Sequence, residues 1–141
     1  MFLYTPDTIF DLNELRVIYF SGESKAVSRL DGGPVEVLNL IGDRSRVKIE
    51  MAILAETDVA RPLYKGTHII FSPSSGVDVE LATYNNGVGG VTFCVQNLHW
   101  HILPDHGVRF EILGDVRMDM KCMRGPYVVV SIITSKKEDR N

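Results

Sequence analysis

The sequence has few cysteines and no long apolar run. Its 141 residues include two cysteines, Cys94 and Cys122, which form no C-x-x-C pair. Two cysteines are too few for a disulfide framework and suit small buried residues in a reducing compartment. No stretch approaches the roughly 18 apolar residues of a membrane-spanning helix. Residues 1–7 lack the basic segment and apolar run of a signal peptide. We therefore expect a cytoplasmic protein, or one that assembles into a virion inside a cell, with no membrane partner.

The sequence also lacks an excess of basic charge. It has 15 Lys and Arg against 18 Asp and Glu, which gives a formal net charge of −3. The basic residues are spread along the chain and form no patch of the kind that binds a phosphate backbone, so nucleic acid is an unlikely partner on this reading. The length predicts a single β domain over residues 1–135, followed by a polar tail over residues 136–141.

Catalytic motifs are absent as well. The chain has no G-x-S-x-G motif, and residues 72–76 (S-P-S-S-G) have the composition of a loop. The glycines of residues 87–90 join two predicted strands, whereas a nucleotide-binding glycine cluster must open a helix. Cys94 lies in an apolar segment with no neighbouring group to activate its thiol. These absences favour a protein that is not an enzyme.

What the sequence does have is a period of two. Apolar and charged residues alternate over residues 46–51, 77–81 and 116–122, and more loosely over 35–40. Such alternation predicts half-buried strands, and in the first segment it directs Val47, Ile49 and Met51 to the core. Three further runs are apolar on both faces and predict strands covered on both sides. These runs are residues 16–20, 68–71 and 127–133.

Turn signals separate these segments at regular intervals, and helix signals are scarce. Single helical turns are predicted only around residues 56–63 and 7–15. The pattern indicates an all-β fold of about nine or ten strands with minimal helix. An antiparallel, jelly-roll-like β-sandwich is the first choice, and a small β-barrel is the second.

Three of the four histidines lie in one stretch, N-L-H-W-H-I-L-P-D-H-G-V-R-F-E, over residues 97–111. On a strand, His99 and His101 share a face, and such a pair suits a divalent metal ion. The third ligand would be His106 or Glu111. Cupins combine an H-x-H pair with a nearby Glu and a later His, but this sequence has neither at those places. The sequence therefore resembles that pattern poorly and gives no ground for assigning the family.

The same stretch has a second interpretation, in which its side chains are contact residues. Trp100 takes the opposite face of the strand from the paired histidines and is either a core residue or an interface anchor. We predict that Trp100, His99, His101, His106 and Arg109 contact a ligand or a partner. On this interpretation the protein needs no cofactor, and a divalent metal held by His99, His101 and Glu111 is the alternative.

Charged pairs at a spacing of two flank the turn after Leu113. Arg109 and Glu111 share one strand face, and Arg117 and Asp119 share the next. Lys121 shares the face of Arg117 and Asp119, and if the two strands form a hairpin, these charges form a cross-strand ladder. We interpret the ladder as a solvated face and not as a pair of catalytic carboxylates.

The apolar runs exceed what one core needs, and surplus apolar strand surface is usually covered by another subunit. The sequence therefore predicts a non-enzymatic β domain that acts through self-assembly or partner binding, of the kind found among viral or phage structural and accessory proteins. One alternative is a small-molecule-binding β module with a pocket in a barrel or between subunits. The other is a metal-dependent β-barrel enzyme centred on His99 and His101.

Overall fold

A computed structural model describes residues 1–56, 59–86, 92–114 and 116–135. These residues form eleven strands in three antiparallel sheets and no helix, which confirms the all-β prediction. The chain divides into two compact units, Met1–Ile41 and Gly42–Asn141. The single domain over residues 1–135 stays a prediction, and the predicted tail and the loop 87–90 lie outside the described residues. In the part of the chain that the structure describes, no helix has the length and hydropathy to span a membrane.

The first unit contains one small sheet with the strand order β2-β1-β3. Its strands are β1 (Phe2–Tyr4), β2 (Ile9–Asp11) and β3 (Val27–Arg29). The helical turn predicted over residues 7–15 is wrong, because β2 lies there and pairs with β1. The strands predicted over 16–20 and 35–40 are also wrong, because neither segment finds a strand to pair with. Positive φ angles at Leu15, Gly32 and Gly33 turn the chain just before each segment.

The second unit contains two four-stranded antiparallel sheets. Sheet I has the order β5-β10-β7-β8, and sheet II has the order β4-β11-β6-β9. The strands of sheet I are β5 (Arg61–Leu63), β7 (Val77–Asn86), β8 (Thr92–Ile102) and β10 (Arg117–Arg124). Those of sheet II are β4 (Val47–Ala55), β6 (Gly66–Ser72), β9 (His106–Ile112) and β11 (Tyr127–Ser135). The helical turn predicted over residues 56–63 is wrong, since its last residues form β5. Pro62 is tolerated there because β5 is an edge strand.

Sheets I and II pack face to face around one apolar core, as in a sandwich. Sheet I contributes Leu81 and Met120, and sheet II contributes Ile70 and Val130, all of which are fully buried. The period-two segments of β7 and β10 place alternate residues in this core, as the sequence predicts. The surface of each sheet that faces the core is called its inner face below, and the opposite surface is its outer face.

The predicted orientation of β4 is wrong. Leu54 belongs to the core, and Glu50 lies an even number of residues from it and opposite Ile132, which also packs against the core. Glu50 and Lys48 therefore share the inner face, whereas Val47, Ile49 and Met51 lie on the outer face. The first half of β4 extends beyond the core, so its inner face carries charge.

Candidate functional site

The histidine-rich stretch is divided between the two sheets. Its first part ends β8 in sheet I, and its last part forms β9 in sheet II. A tight turn at Leu103–Asp105 joins them, with a φ of 59° at Asp105 and a hydrogen bond from the His106 amide to the Leu103 carbonyl. Residues that are close in sequence therefore face different surroundings.

His99 and His101 share the outer face of sheet I, as the period of two predicts. Nδ1 of His101 lies 2.5 Å from Oδ1 of Asp78, and Nε2 of His99 lies 3.6 Å from Oε2 of Glu80. Nε of Arg124 is also 3.9 Å from Oδ2 of Asp78. The two imidazoles are 67% and 58% exposed, so these are solvated pairs on an open face.

Trp100 lies on the inner face of the same strand. It is half-buried and packs against the core, and its ring meets Phe110 edge to face with 5.4 Å between ring centroids. Phe110 in turn stacks on His68, the fourth histidine, at 5.3 Å. The structure thus joins Trp100 to His68 through one aromatic ring, and it does not join Trp100 to the outer-face histidines.

His106, Arg109 and Glu111 lie on β9. Nδ1 of His106 lies 2.7 Å from the Pro104 carbonyl oxygen, and an Nη of Arg109 donates to Glu111 Oε1 at 2.5 Å. Arg109 and Glu111 occupy the outer face of sheet II, so the structure does not bring Glu111 to His99 and His101. Among the described residues, no group of three or more His, Cys, Asp or Glu side chains is arranged to hold a metal ion.

The cross-strand ladder predicted for a hairpin does not form, because β9 and β10 lie in different sheets. Arg117 donates two hydrogen bonds to Asp119, at 2.7 and 2.9 Å, within β10 of sheet I. The Arg109–Glu111 pair lies within β9 of sheet II. Each pair forms along one strand, and no hairpin joins the two strands.

A groove of about 420 Å³ opens between the two sheets at their β4 and β5 edges. Its walls come from β4 and β11 of sheet II, β5 of sheet I and the β5–β6 turn. The lining residues are Lys48, Glu50, Arg61, Pro62, Tyr64, Lys65, Ile132 and Thr134. None of them was among the site residues that the sequence predicted.

Three cationic side chains and one carboxylate meet in this groove. Nζ of Lys48 lies 2.7 Å from Glu50 Oε1, and Nη2 of Arg61 lies 3.9 Å from Glu50 Oε2. The hydrogen bond and charge of Lys48 lower the pKa of Glu50, and Glu50 raises the pKa of Lys48. Among the described residues, Lys65 has no carboxylate at ion-pair distance. The lining therefore carries a formal charge of +2 from these four groups.

Arg61 has a polar atom that the protein leaves unpaired. Its Nε is buried and has no hydrogen-bond partner among the described residues. The 3.9 Å separation of its Nη2 from Glu50 is an ion pair and exceeds hydrogen-bond length. Arg61 lines the groove, and its guanidinium therefore has donor capacity that Glu50 does not use.

Two features hold the Tyr64–Lys65 turn in the groove wall. Gly66 has a φ of 147°, and a Cβ there would lie 2.8 Å from the Ile133 carbonyl oxygen, so the turn needs glycine to approach β11. Two residues further on, Nε2 of His68 donates to the Tyr64 carbonyl at 2.7 Å. His68 is fully buried, and burial lowers the pKa of its imidazole.

A search of curated proteins and a search of solved structures each found no match. A family model does match: that of HutD, over residues 4–97. This range is 94 of the 141 residues and runs from β1 into β8, so it includes the groove residues of β4, β5 and the β5–β6 turn but not those of β11. Because the match covers more than half of the sequence, the chain belongs to the HutD family.

Proposed function

We propose that this protein is a binding module for a small organic acid, which it holds in the groove at Arg61. The observation that carries the proposal is the buried, unpartnered Nε of Arg61. Buried polar groups nearly always have a hydrogen-bond partner, so a donor without a protein partner beside a groove supports a ligand that supplies an acceptor. The guanidinium group presents parallel N–H donors that fit the two oxygens of a carboxylate.

The charge of the groove supports an anionic ligand. Glu50 is engaged by Lys48, which leaves Arg61 and Lys65 as the cations available to a bound acid. A ligand carboxylate at Arg61 would accept hydrogen bonds from the guanidinium and offset the positive charge of the lining.

The size and the apolar surfaces of the groove narrow the ligand class. A volume of about 420 Å³ suits a small molecule. Ile132 and Pro62 offer apolar contact, and the ring of Tyr64 offers a face on which a planar group can stack. The proposed ligand is therefore a carboxylic acid with an apolar or aromatic body.

Ligand-induced stabilisation tests this proposal. Benzoate and succinate should each raise the melting temperature in a concentration-dependent way, because a ligand that binds only the folded state stabilises it by mass action. Arg61→Gln should weaken binding by about tenfold or more, since a hydrogen bond to a charged group contributes about 1.5–3 kcal/mol. Isothermal titration of benzoate into both proteins measures this change.

Arg109→Gln is the matched control. It removes an arginine from the outer face of sheet II, where Arg109 already pairs with Glu111, and it should leave benzoate binding unchanged. The proposal is overturned if neither acid stabilises the protein, or if the two arginine variants bind benzoate equally. Stabilisation by inorganic phosphate alone would indicate a phosphate site in place of a carboxylate site.

A second candidate function is self-assembly through the first unit. Among residues 1–41, Leu3 is the one buried apolar side chain, whereas ten large apolar side chains are 44–90% exposed. They are Ile9, Leu15, Tyr19, Phe20, Val27, Leu30, Val35, Val37, Leu38 and Ile41. Exposed apolar surface on this scale favours coverage by a second copy of the chain. Membership of a viral or phage particle stays a prediction.

The mass in solution tests self-assembly. Light scattering should give a mass above 15.8 kDa that rises with concentration, and Val37→Asp with Ile41→Asp should return the protein to a monomer. A wild-type protein that stays monomeric at high concentration contradicts this second function and leaves the acid-binding proposal intact.

A further inference from the structure

We infer that His68 is a positioning residue for the groove: its neutral, buried imidazole holds the Tyr64–Lys65 turn in place, and proton uptake releases the turn and weakens acid binding. The part of this inference that concerns acid binding rests on the proposed function. The coupling between His68 and the turn does not.

His68 lies one strand away from the groove floor. Across the inner face of sheet II, the register places Glu50 beside Ile132, Ile132 beside His68 and His68 beside Phe110. Glu50 and Ile132 line the groove, and His68 is the next side chain toward the core. A change at His68 therefore reaches the groove through its immediate neighbours.

The hydrogen bond to Tyr64 defines which nitrogen of the neutral imidazole carries the proton. A carbonyl oxygen only accepts hydrogen bonds, so Nε2 carries the proton that Tyr64 receives at 2.7 Å. Nδ1 is buried without a hydrogen-bond partner among the described residues, so a proton there would have no acceptor, and burial favours a lone pair on Nδ1. The ring is thus neutral and is held at one nitrogen, and its bond ends on the backbone of a groove residue.

The surroundings of the ring oppose a second proton. Phe110 of β9 stacks on the imidazole, and Ile132 of β11 lies beside it. Trp100 of β8 meets Phe110 edge to face. Glu50, the carboxylate in the same row, is two strands away and is bonded to Lys48. Burial is the main cause that lowers the pKa of His68. The hydrogen bond to the Tyr64 carbonyl opposes this shift in part, and no charged side chain among the described residues does so.

The direction of the pH effect follows from this geometry. An imidazole that leaves the core regains a pKa of about 6.5, whereas the buried ring has a lower one. The stability that the buried ring confers is therefore complete above about pH 6.5 and falls as the pH drops toward the lowered pKa of the folded state. Proton uptake favours a state in which His68 has left Tyr64, and the turn then loses one of its two anchors.

Two variants separate the hydrogen bond from the titration. His68→Gln retains an amide N–H that can donate to the Tyr64 carbonyl, but it does not titrate. His68→Phe retains an aromatic ring to pack on Phe110, but it has no donor. Benzoate is the probe, because its carboxyl group and Glu50, whose pKa is lowered, both stay largely ionised at about pH 5.5.

Benzoate titrations at about pH 7.5 and about pH 5.5 test the inference. We expect the wild type to bind up to about fivefold more weakly at the lower pH, since one hydrogen bond contributes about 1 kcal/mol and a factor of ten corresponds to 1.4 kcal/mol. His68→Gln should bind equally at both pH values, and His68→Phe should bind weakly at both. A shared pH profile for the wild type and His68→Gln overturns the inference, as does unchanged affinity in His68→Phe.

Nuclear magnetic resonance without benzoate separates this inference from the proposed function. The amide signals of Tyr64 and Lys65 should shift as the His68 ring titrates in the wild type, and they should not shift over that range in His68→Gln. If benzoate fails to bind but these signals behave as expected, the acid-binding proposal fails and His68 remains the anchor of the turn. If the signals do not follow His68, the positioning role is wrong whatever benzoate does.

Discussion

His68 and His101 lie in the same sandwich and have opposite surroundings. The His68 ring is fully buried on the inner face of sheet II, and it bonds to a backbone carbonyl. The His101 ring is 58% exposed on the outer face of sheet I, and it bonds to the side chain of Asp78. The partner of His68 is a backbone carbonyl in the Tyr64–Lys65 turn, whereas the partner of His101 is a side chain that can rotate away.

This difference shows which polar contacts hold the local structure. An exposed pair gains little because water and salt screen it and both side chains lose freedom when they pair. A bond from a buried ring to the backbone is costly to lose, because the buried donor is then left unsatisfied. The isolated buried histidine is therefore a stronger structural determinant than the conspicuous cluster of exposed ones.

Two glycines make the comparison testable. Gly66 follows the turn that His68 bonds, and Gly76 lies against the ring of His101. Gly66→Ala should destabilise the protein by about 2 kcal/mol or more, since it imposes a strained φ and brings a Cβ against the Ile133 carbonyl. Gly76→Ala brings a Cβ to 3.1 Å from Cε1 of His101, but that exposed ring can move aside. We expect a change within about 0.5 kcal/mol for Gly76→Ala.

Urea denaturation with linear extrapolation measures both effects. The benzoate affinity of the folded Gly66→Ala protein should also fall, because the turn that carries Tyr64 and Lys65 must shift. Equal destabilisation by the two substitutions would contradict the comparison. A Gly66→Ala protein with an unaltered free energy of unfolding would also contradict it, since the close approach of Gly66 to β11 would then contribute nothing to stability.

Much of the fold could be predicted from the sequence, because a period of two identifies a strand and separates the side chains of its two faces. The segments in β7 and β10 alternate along strands that cross the whole core, so their apolar sets are buried. In β4 the alternation is also real, but its first half extends beyond the core. Periodicity separates two sets of side chains and does not say which set faces inward when both faces are partly covered.

The groove could not be predicted, because its parts come together only through long-range strand pairing. Lys48 and Arg61 lie on different sheets, and Thr134 joins them from the last strand. The cations at both ends of Arg61-Pro62-Leu63-Tyr64-Lys65 were the available signal. The residues of the histidine stretch are close in sequence, but the turn at Asp105 places them in two different sheets.

The smallest expected effect concerns the outer-face pair itself. In a double-mutant cycle, His101→Ala and Asp78→Ala should show a coupling energy of about 0.2–1 kcal/mol, as is usual for exposed ion pairs. Added salt should reduce the coupling, because both side chains are solvated. Neither substitution should alter benzoate binding, since the pair lies on the outer face of sheet I and the groove opens between the sheets. A coupling well above this range, or one that is insensitive to salt, would show that the outer face is more ordered than its exposure indicates. The distinction between His68 and His101 would then rest on the backbone bond alone and not on burial.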